Sequence, residues 1–282
     1  MRRTASLARE YFMLASSSIA ISLAFAHLFL ISGMPSVTRS SVLGGLGEVG
    51  MAVALALLGL AGTTVFYTLL IKKREFEARL ILGAVFGPTV GILVLIVGQA
   101  ILLSVVKQTN ALAVALIIII SLYVSVFSVV FVITGSLSRM TRNIMYVVYG
   151  SVIGGFIGIG LSSITFIVVL TMIGGYDLFV ANSGLLRNIV GDLSKGSGME
   201  KLAYKSGQFE TGVGDFIFSS SLPAHAYVHF GIDVLLWTLL LVLAGYLINF
   251  TLAVRKGYAG GIAAPTFLGI IPILVRLMSN VR

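Results

Sequence analysis

The sequence predicts an all-α, polytopic membrane protein with nine transmembrane helices. Three observations carry that expectation. Apolar residues make up 58% of the 282-residue chain, and the mean hydropathy is +1.07. Only 10% of residues are charged, against about 25% in a soluble domain. The apolar residues also gather into nine runs, each close to the roughly 20 residues a helix needs to cross the hydrocarbon layer. A water-soluble globular enzyme is excluded on these grounds. The absence of Cys further excludes disulfides, thiolate nucleophiles and Cys-ligated zinc or iron–sulfur centres.

The chain opens MRRTASLARE, a basic start like the n-region of a signal peptide. The apolar run that follows, 11–33, is too long for a cleaved h-region and lacks a small-residue cleavage site, so it reads as a retained first span. Spans at 49–71, 80–106 and 111–134 follow. Residues 144–181 form one apolar run. As a single helix it would be about 57 Å long, nearly twice the hydrocarbon thickness. Two spans, 144–160 and 162–181, with a break near Gly158 to Ser163, fit better. The last three spans are 211–232, 234–254 and 261–279. The organisation is therefore a six-helix part (1–181), a polar loop (182–210) and a three-helix part (211–282). The loop, rich in Gly, Ser and Lys, is long enough for a lid, a regulatory segment or a nick site, and equally serves as a connector. In the fifth span, Gly150, Gly154, Gly155, Gly158 and Gly160 form a small-residue face of the kind that lets helices approach closely in lipid.

Basic residues orient the bundle. Fifteen of the 19 fall in alternate segments beginning with the N-terminus, and four in the others. The positive-inside rule then places the N-terminus in the cytoplasm and the C-terminus outside, in a multi-pass cell-membrane protein. The net charge of +9 is explained by this anchoring. No soluble segment carries a basic face with interleaved aromatics, so no nucleic-acid partner is expected.

Ionisable groups inside spans are costly and are functional candidates. Asp177 lies in TMIGGYDLFVA near the end of the sixth span, and Asp215 in TGVGDFIFSS near the start of the seventh. Each is about four residues from the cytoplasmic end of its span, which puts both at a similar depth of roughly 6 Å. Two carboxylates that meet cannot both ionise cheaply and so share a proton. The ionised member can take a proton from water while the other donates to a carbonyl oxygen, the arrangement for hydrolysing a peptide bond without metal or covalent intermediate. Gly174 and Gly175 precede Tyr176 and Asp177, and Gly212 and Gly214 precede Asp215. These glycines keep bulk away and let a substrate backbone approach, or they serve helix packing. Tyr176 is placed to hydrogen-bond near the acids or to cover them. The ninth span begins GGIAAPTFLGIIP, where Pro265 deprives the Gly261 carbonyl of its helical partner. Irregular backbone there can line a wet cavity and pair with an extended substrate strand, or it is a kinked helix start.

Other polar groups compete for attention. His225, His229 and Asp233 fall four residues apart on one helical stripe, a possible metal line, but no H-E-x-x-H pattern exists and contacts near the membrane face explain them more simply. His27 reads as a packing residue. Buried acids with Gly and Pro interruptions serve a proton- or cation-coupled transporter equally well. The residues alone leave hydrolase, relay and structural roles open.

The motifs carry a resemblance. The sequence resembles the presenilin and signal-peptide-peptidase family of intramembrane aspartyl proteases, and looks most like its archaeal members. Tyr176-Asp177 matches the family's Tyr-Asp motif, and Gly212-Val213-Gly214-Asp215 its Gly-x-Gly-Asp motif, with Phe216-Ile217-Phe218 continuing the presenilin-like flank. Pro265-Thr266-Phe267 stands where the family has Pro-Ala-Leu, with Pro272 spaced after it as in signal-peptide peptidases. Thr adds a hydroxyl and Phe adds bulk beside the expected cleft. The resemblance implies a presenilin-like nine-helix fold with Asp177 and Asp215 as the catalytic pair. It also implies a substrate cleft at Tyr176, Gly212, Gly214, Pro265, Thr266 and Phe267, and hydrolysis within transmembrane segments of other proteins. It implies no cofactor, no metal and no obligatory protein partner beyond substrate and lipid bilayer.

Overall fold

The computed structural model describes residues 2–33, 45–72, 74–107, 110–136, 138–182, 204–206, 209–256 and 261–279. Among them are nine helices: α1 Arg2–Ile31, α2 Gly45–Ile71, α3 Glu75–Val106, α4 Ala111–Thr134, α5 Arg139–Gly160, α6 Ser163–Asn182, α7 Val213–Phe230, α8 Ile232–Lys256 and α9 Ala263–Ser279. The described residues are helical apart from short connections and a small hairpin, β1 Tyr204–Ser206 and β2 Phe209–Thr211, that pairs Lys205 with Glu210. Most of the polar stretch 182–210, with its lid or nick site, lies outside the described residues.

Local chemistry sets the helix ends. Asn110 caps α4, its Oδ1 accepting the Leu112 N–H at 3.0 Å and satisfying an amide the helix cannot pair itself. At the far end Gly135 turns left-handed (φ 60°) and donates its N–H to the Phe131 carbonyl at 2.9 Å. Ser138 caps α5 by accepting the Thr141 N–H at 3.2 Å. The expected break in the run 144–181 falls at Leu161–Ser162. Leu161 is extended, and Ser162 Oγ accepts the Thr165 N–H to start α6.

Among the described residues, six stretches are long and apolar enough to cross a membrane: Ala8–Ile31, Phe76–Val106, Ala111–Thr134, Met140–Gly160, Ser163–Ala181 and Ile232–Arg255. Val49–Gly62 within α2 and the whole of α9 are apolar but shorter. α7 differs in kind, because it carries Asp215, three serines and two histidines. Its residues from Ser219 to Ala226 are all buried, since α1, α5, α8 and α9 pack around it. A polar helix is tolerated at membrane depth when protein surrounds it. By contrast Leu58, Val105, Leu112, Tyr123 and Trp237 on outer helix faces are exposed. That apolar exterior suits lipid and marks a membrane protein.

Close helix seams depend on small residues. Gly154 and Gly158 of α5 face α7, where a β-carbon would strike the Ile217 and Ser221 carbonyls respectively. Gly155 turns instead to Ser22 and Phe25 of α1, and Gly160 faces open space. The expected glycine face is thus shared between two neighbours. This closeness lets Ser22 donate to the Ser220 carbonyl at 2.8 Å. One apolar core joins Tyr11 and Ile19 of α1, Phe166 and Leu170 of α6, Leu222 of α7, Val242 and Tyr246 of α8, and Ile270 and Ile273 of α9. By packing α6, α7 and α9 together, it brings the end of α6, the start of α7 and the start of α9 to one place.

Candidate active site

Three helix ends build the site. On α6, Asp177 is partly buried, and its Oδ2 accepts the N–H groups of Ile262 at 3.0 Å and Ala263 at 3.1 Å. These amides open α9 and have no partner within their own helix. A carboxylate there also meets the positive end of the helix dipole. On α7, Asp215 sits in the first turn behind Gly212, which takes an extended conformation and accepts the Asp215 N–H at 3.1 Å. The Asp215 carboxyl group lies against the α-carbon of Gly261, so close that a β-carbon there would overlap three of its atoms. Both acids therefore rest on the same short piece of backbone, Gly261 to Ala263.

A second set of polar groups holds that piece from behind. Asn249 of α8 donates from Nδ2 to the Gly261 carbonyl at 2.8 Å. The acceptor that Pro265 was expected to leave open for a substrate strand is therefore taken. Pro265 itself lies in the first turn of α9 and kinks nothing, because an amide at that position needs no helical partner. It packs against Gly245 of α8, where any side chain would meet Pro265 and Ala264 backbone atoms. Tyr246 donates to Ser219 Oγ, which donates to the Asp215 carbonyl. Tyr11 stacks edge-on with Tyr246 at 5.4 Å between centroids.

The remaining expected cleft residues divide. Thr266 is buried, and Phe267 is partly buried. Both face Gly174 of α6, where a β-carbon would stand in ordinary contact, 3.4–3.5 Å from their side chains. Gly214 has nothing closer than 3.8 Å to such a carbon, and Gly212 nothing closer than 4.0 Å. Packing does not demand glycine at either position: a β-carbon on Gly214 would stand in ordinary contact with Ile262 and Phe218. Tyr176 is partly buried next to Asp177, yet among the described residues it bonds to neither acid. Adjacent helical side chains point to different faces, which separates it from Asp177.

Among the described residues the histidine stripe does not come together as a line of metal ligands. Both ring nitrogens of His225 are engaged, Nδ1 with the Gly158 carbonyl at 2.6 Å and Nε2 with Ser163 Oγ at 3.0 Å. Its ring stacks on Phe166 at 4.1 Å. The stripe also stops before Asp233: α7 ends at Phe230, Gly231 turns with φ 88°, and Asp233 belongs to α8. Among the described residues no group of three or more potential ligands could hold a metal ion. His27 Nδ1 pairs with the Tyr227 hydroxyl at 2.9 Å, in keeping with a packing role.

Sequence reasoning missed Asn249, Tyr246, Ser219 and Tyr11. The signal for Asn249 was present, as a lone amide within the apolar run LLLVLAGYLINFTLAV. A buried amide at membrane depth must find a partner. No family model matches the chain, and no curated protein matches it.

Proposed function

We propose that the chain is an intramembrane aspartyl endopeptidase of the presenilin and signal-peptide-peptidase kind. In this reading it makes nine crossings of the cell membrane, with the N-terminus in the cytoplasm and the C-terminus outside. The observation that supports it most is the seating of Asp177 and Asp215 on one backbone segment, Gly261 to Ala263, at the start of α9. Two acids from different helices, held on one backbone segment, are what general acid–base hydrolysis of an amide needs.

The chemistry follows from the unequal surroundings of the acids. Asp177 accepts two backbone N–H groups and acts as the base. It takes one proton from a water molecule, whose oxygen adds to the scissile carbonyl carbon. Asp215 gives its proton to the carbonyl oxygen, so the intermediate is a neutral gem-diol. As the C–N bond breaks, the proton on Asp177 passes to the leaving nitrogen, and a diol proton returns to Asp215. The pair ends as it began, with one proton between two carboxylates. No cofactor takes part. The substrate is a transmembrane segment of another protein, and it must unwind locally because helical carbonyls are already hydrogen-bonded and shielded.

The test is cleavage of a transmembrane peptide by the purified chain in lipid vesicles, with products identified by mass. Asp177→Asn and Asp215→Asn are each expected to abolish cleavage, and an aspartyl-protease transition-state mimic to block the wild type. Cleavage by either variant at the wild-type rate refutes the proposal. Proton or cation flux that the same variants stop, with no peptide cut, establishes a relay instead.

A further inference from the structure

We propose that Asn249 is the positioning residue of the acid pair: it fixes Gly261, and through Gly261 the backbone on which both acids rest. This inference depends on the protease reading. It begins with a missing hydrogen bond. In a continuous helix the Gly261 carbonyl would accept from the amide of residue 265, but Pro265 has none. The next carbonyl, that of Ile262, does accept from Thr266 at 3.1 Å. Gly261 thus lies just before α9, outside its hydrogen bonding, and glycine is the residue with the most backbone freedom there.

Asn249 replaces the lost donor, with Nδ2 standing 2.8 Å from the Gly261 oxygen. The residue is 4% exposed, so packing holds the donor in place. One turn earlier on the same face of α8, Gly245 admits the Ala264–Pro265 backbone at a distance no side chain would allow. α8 therefore meets this segment twice, once with a gap for Pro265 and once with an amide for Gly261. Releasing the second contact frees Gly261 from Asp215, and the Ile262 and Ala263 amides from Asp177. Asn249 itself touches neither acid.

The test uses the full chain in vesicles and two independent readouts, cleavage kinetics and amide hydrogen exchange across residues 261–264. Asn249→Asp keeps the shape and loses the donor, Asn249→Ala loses both, and Asn249→Gln keeps the carboxamide. The Ala and Asp variants are expected to lose about 10- to 100-fold in kcat, with KM within about threefold, because misplacement of the reacting groups by about 1 Å has that effect while substrate contacts remain. Exchange at 261–264 should accelerate in both, and Gln should recover part of each readout. If Ala unfolds the chain, the Asp and Gln pair decides. Unchanged exchange, or unchanged kcat in an active preparation, overturns the inference alone. A wild type that cuts no transmembrane peptide overturns the protease reading, and the positioning role falls with it.

Discussion

Replacing Gly261 by Ala probes how closely the start of α9 is fitted to Asp215. The backbone at 261 is not left-handed, so alanine is admissible there on conformational grounds. The obstacle is steric. Three carboxyl atoms of Asp215 lie closer than 3.0 Å to where the new methyl carbon would stand. Restoring ordinary non-bonded contact requires the carboxyl group, or the segment, to withdraw by about 1 Å. Asp215 is the mobile party, because Asn249 and Asp177 hold the segment by three hydrogen bonds. A shift of that size costs about 100-fold in rate, or about 2.7 kcal/mol of barrier. The variant should therefore stay folded, since only a carboxyl group has moved, and cleave a vesicle-embedded peptide about 100-fold more slowly. Thermal unfolding and single-turnover cleavage of the same preparation measure the two halves. Cleavage at the wild-type rate would mean that Asp215 and Gly261 do not need to meet during turnover, and the reasoning from their contact would fail.

Other substitutions test the packing that carries the site. Gly245→Ala presses on Pro265 and Ala264 backbone atoms that cannot rotate away, and should cost about 1–3 kcal/mol in thermal unfolding. Gly160→Ala, which faces open space, should stay within about 0.5 kcal/mol of the wild type. His225→Phe keeps a ring on Phe166 but strands the Gly158 carbonyl and the Ser163 hydroxyl. It should cost about 1–3 kcal/mol of stability and leave the rate per folded molecule unchanged, because His225 lies about 15 Å along α7 from Asp215. Cleavage should survive exhaustive treatment with EDTA, and its pH–rate profile should be bell-shaped, as a proton-sharing pair requires. Loss of activity on chelation would point to a metal in place of the acid pair.

Several features were legible in the sequence because they are local. The break between α5 and α6 follows from a run too long to be one helix, and it lies at Leu161–Ser162. The two acids stand out because a carboxylate in an apolar run is rarely idle. Pro265 announces a carbonyl without a helical donor, since the partner of that carbonyl is set by spacing alone. The polar loop 182–210 also stands out by composition, though most of it falls outside the described residues. Hydropathy does not distinguish one element from the rest: α7 reads as one span among nine, and its serines and histidines belong to the helix that α1, α5, α8 and α9 surround.

The sequence by itself determined that the chain is helical, where a helix must break, and which apolar runs hold a carboxylate. All of these depend on neighbours within a turn or two. Only the tertiary structure decided what answers the Gly261 carbonyl, which glycines face which helix, and that Asp177 bonds to amides 85 and 86 residues away. Those pairings are set by how three helix ends pack around a shared core, and no periodicity along the chain encodes the distance between them.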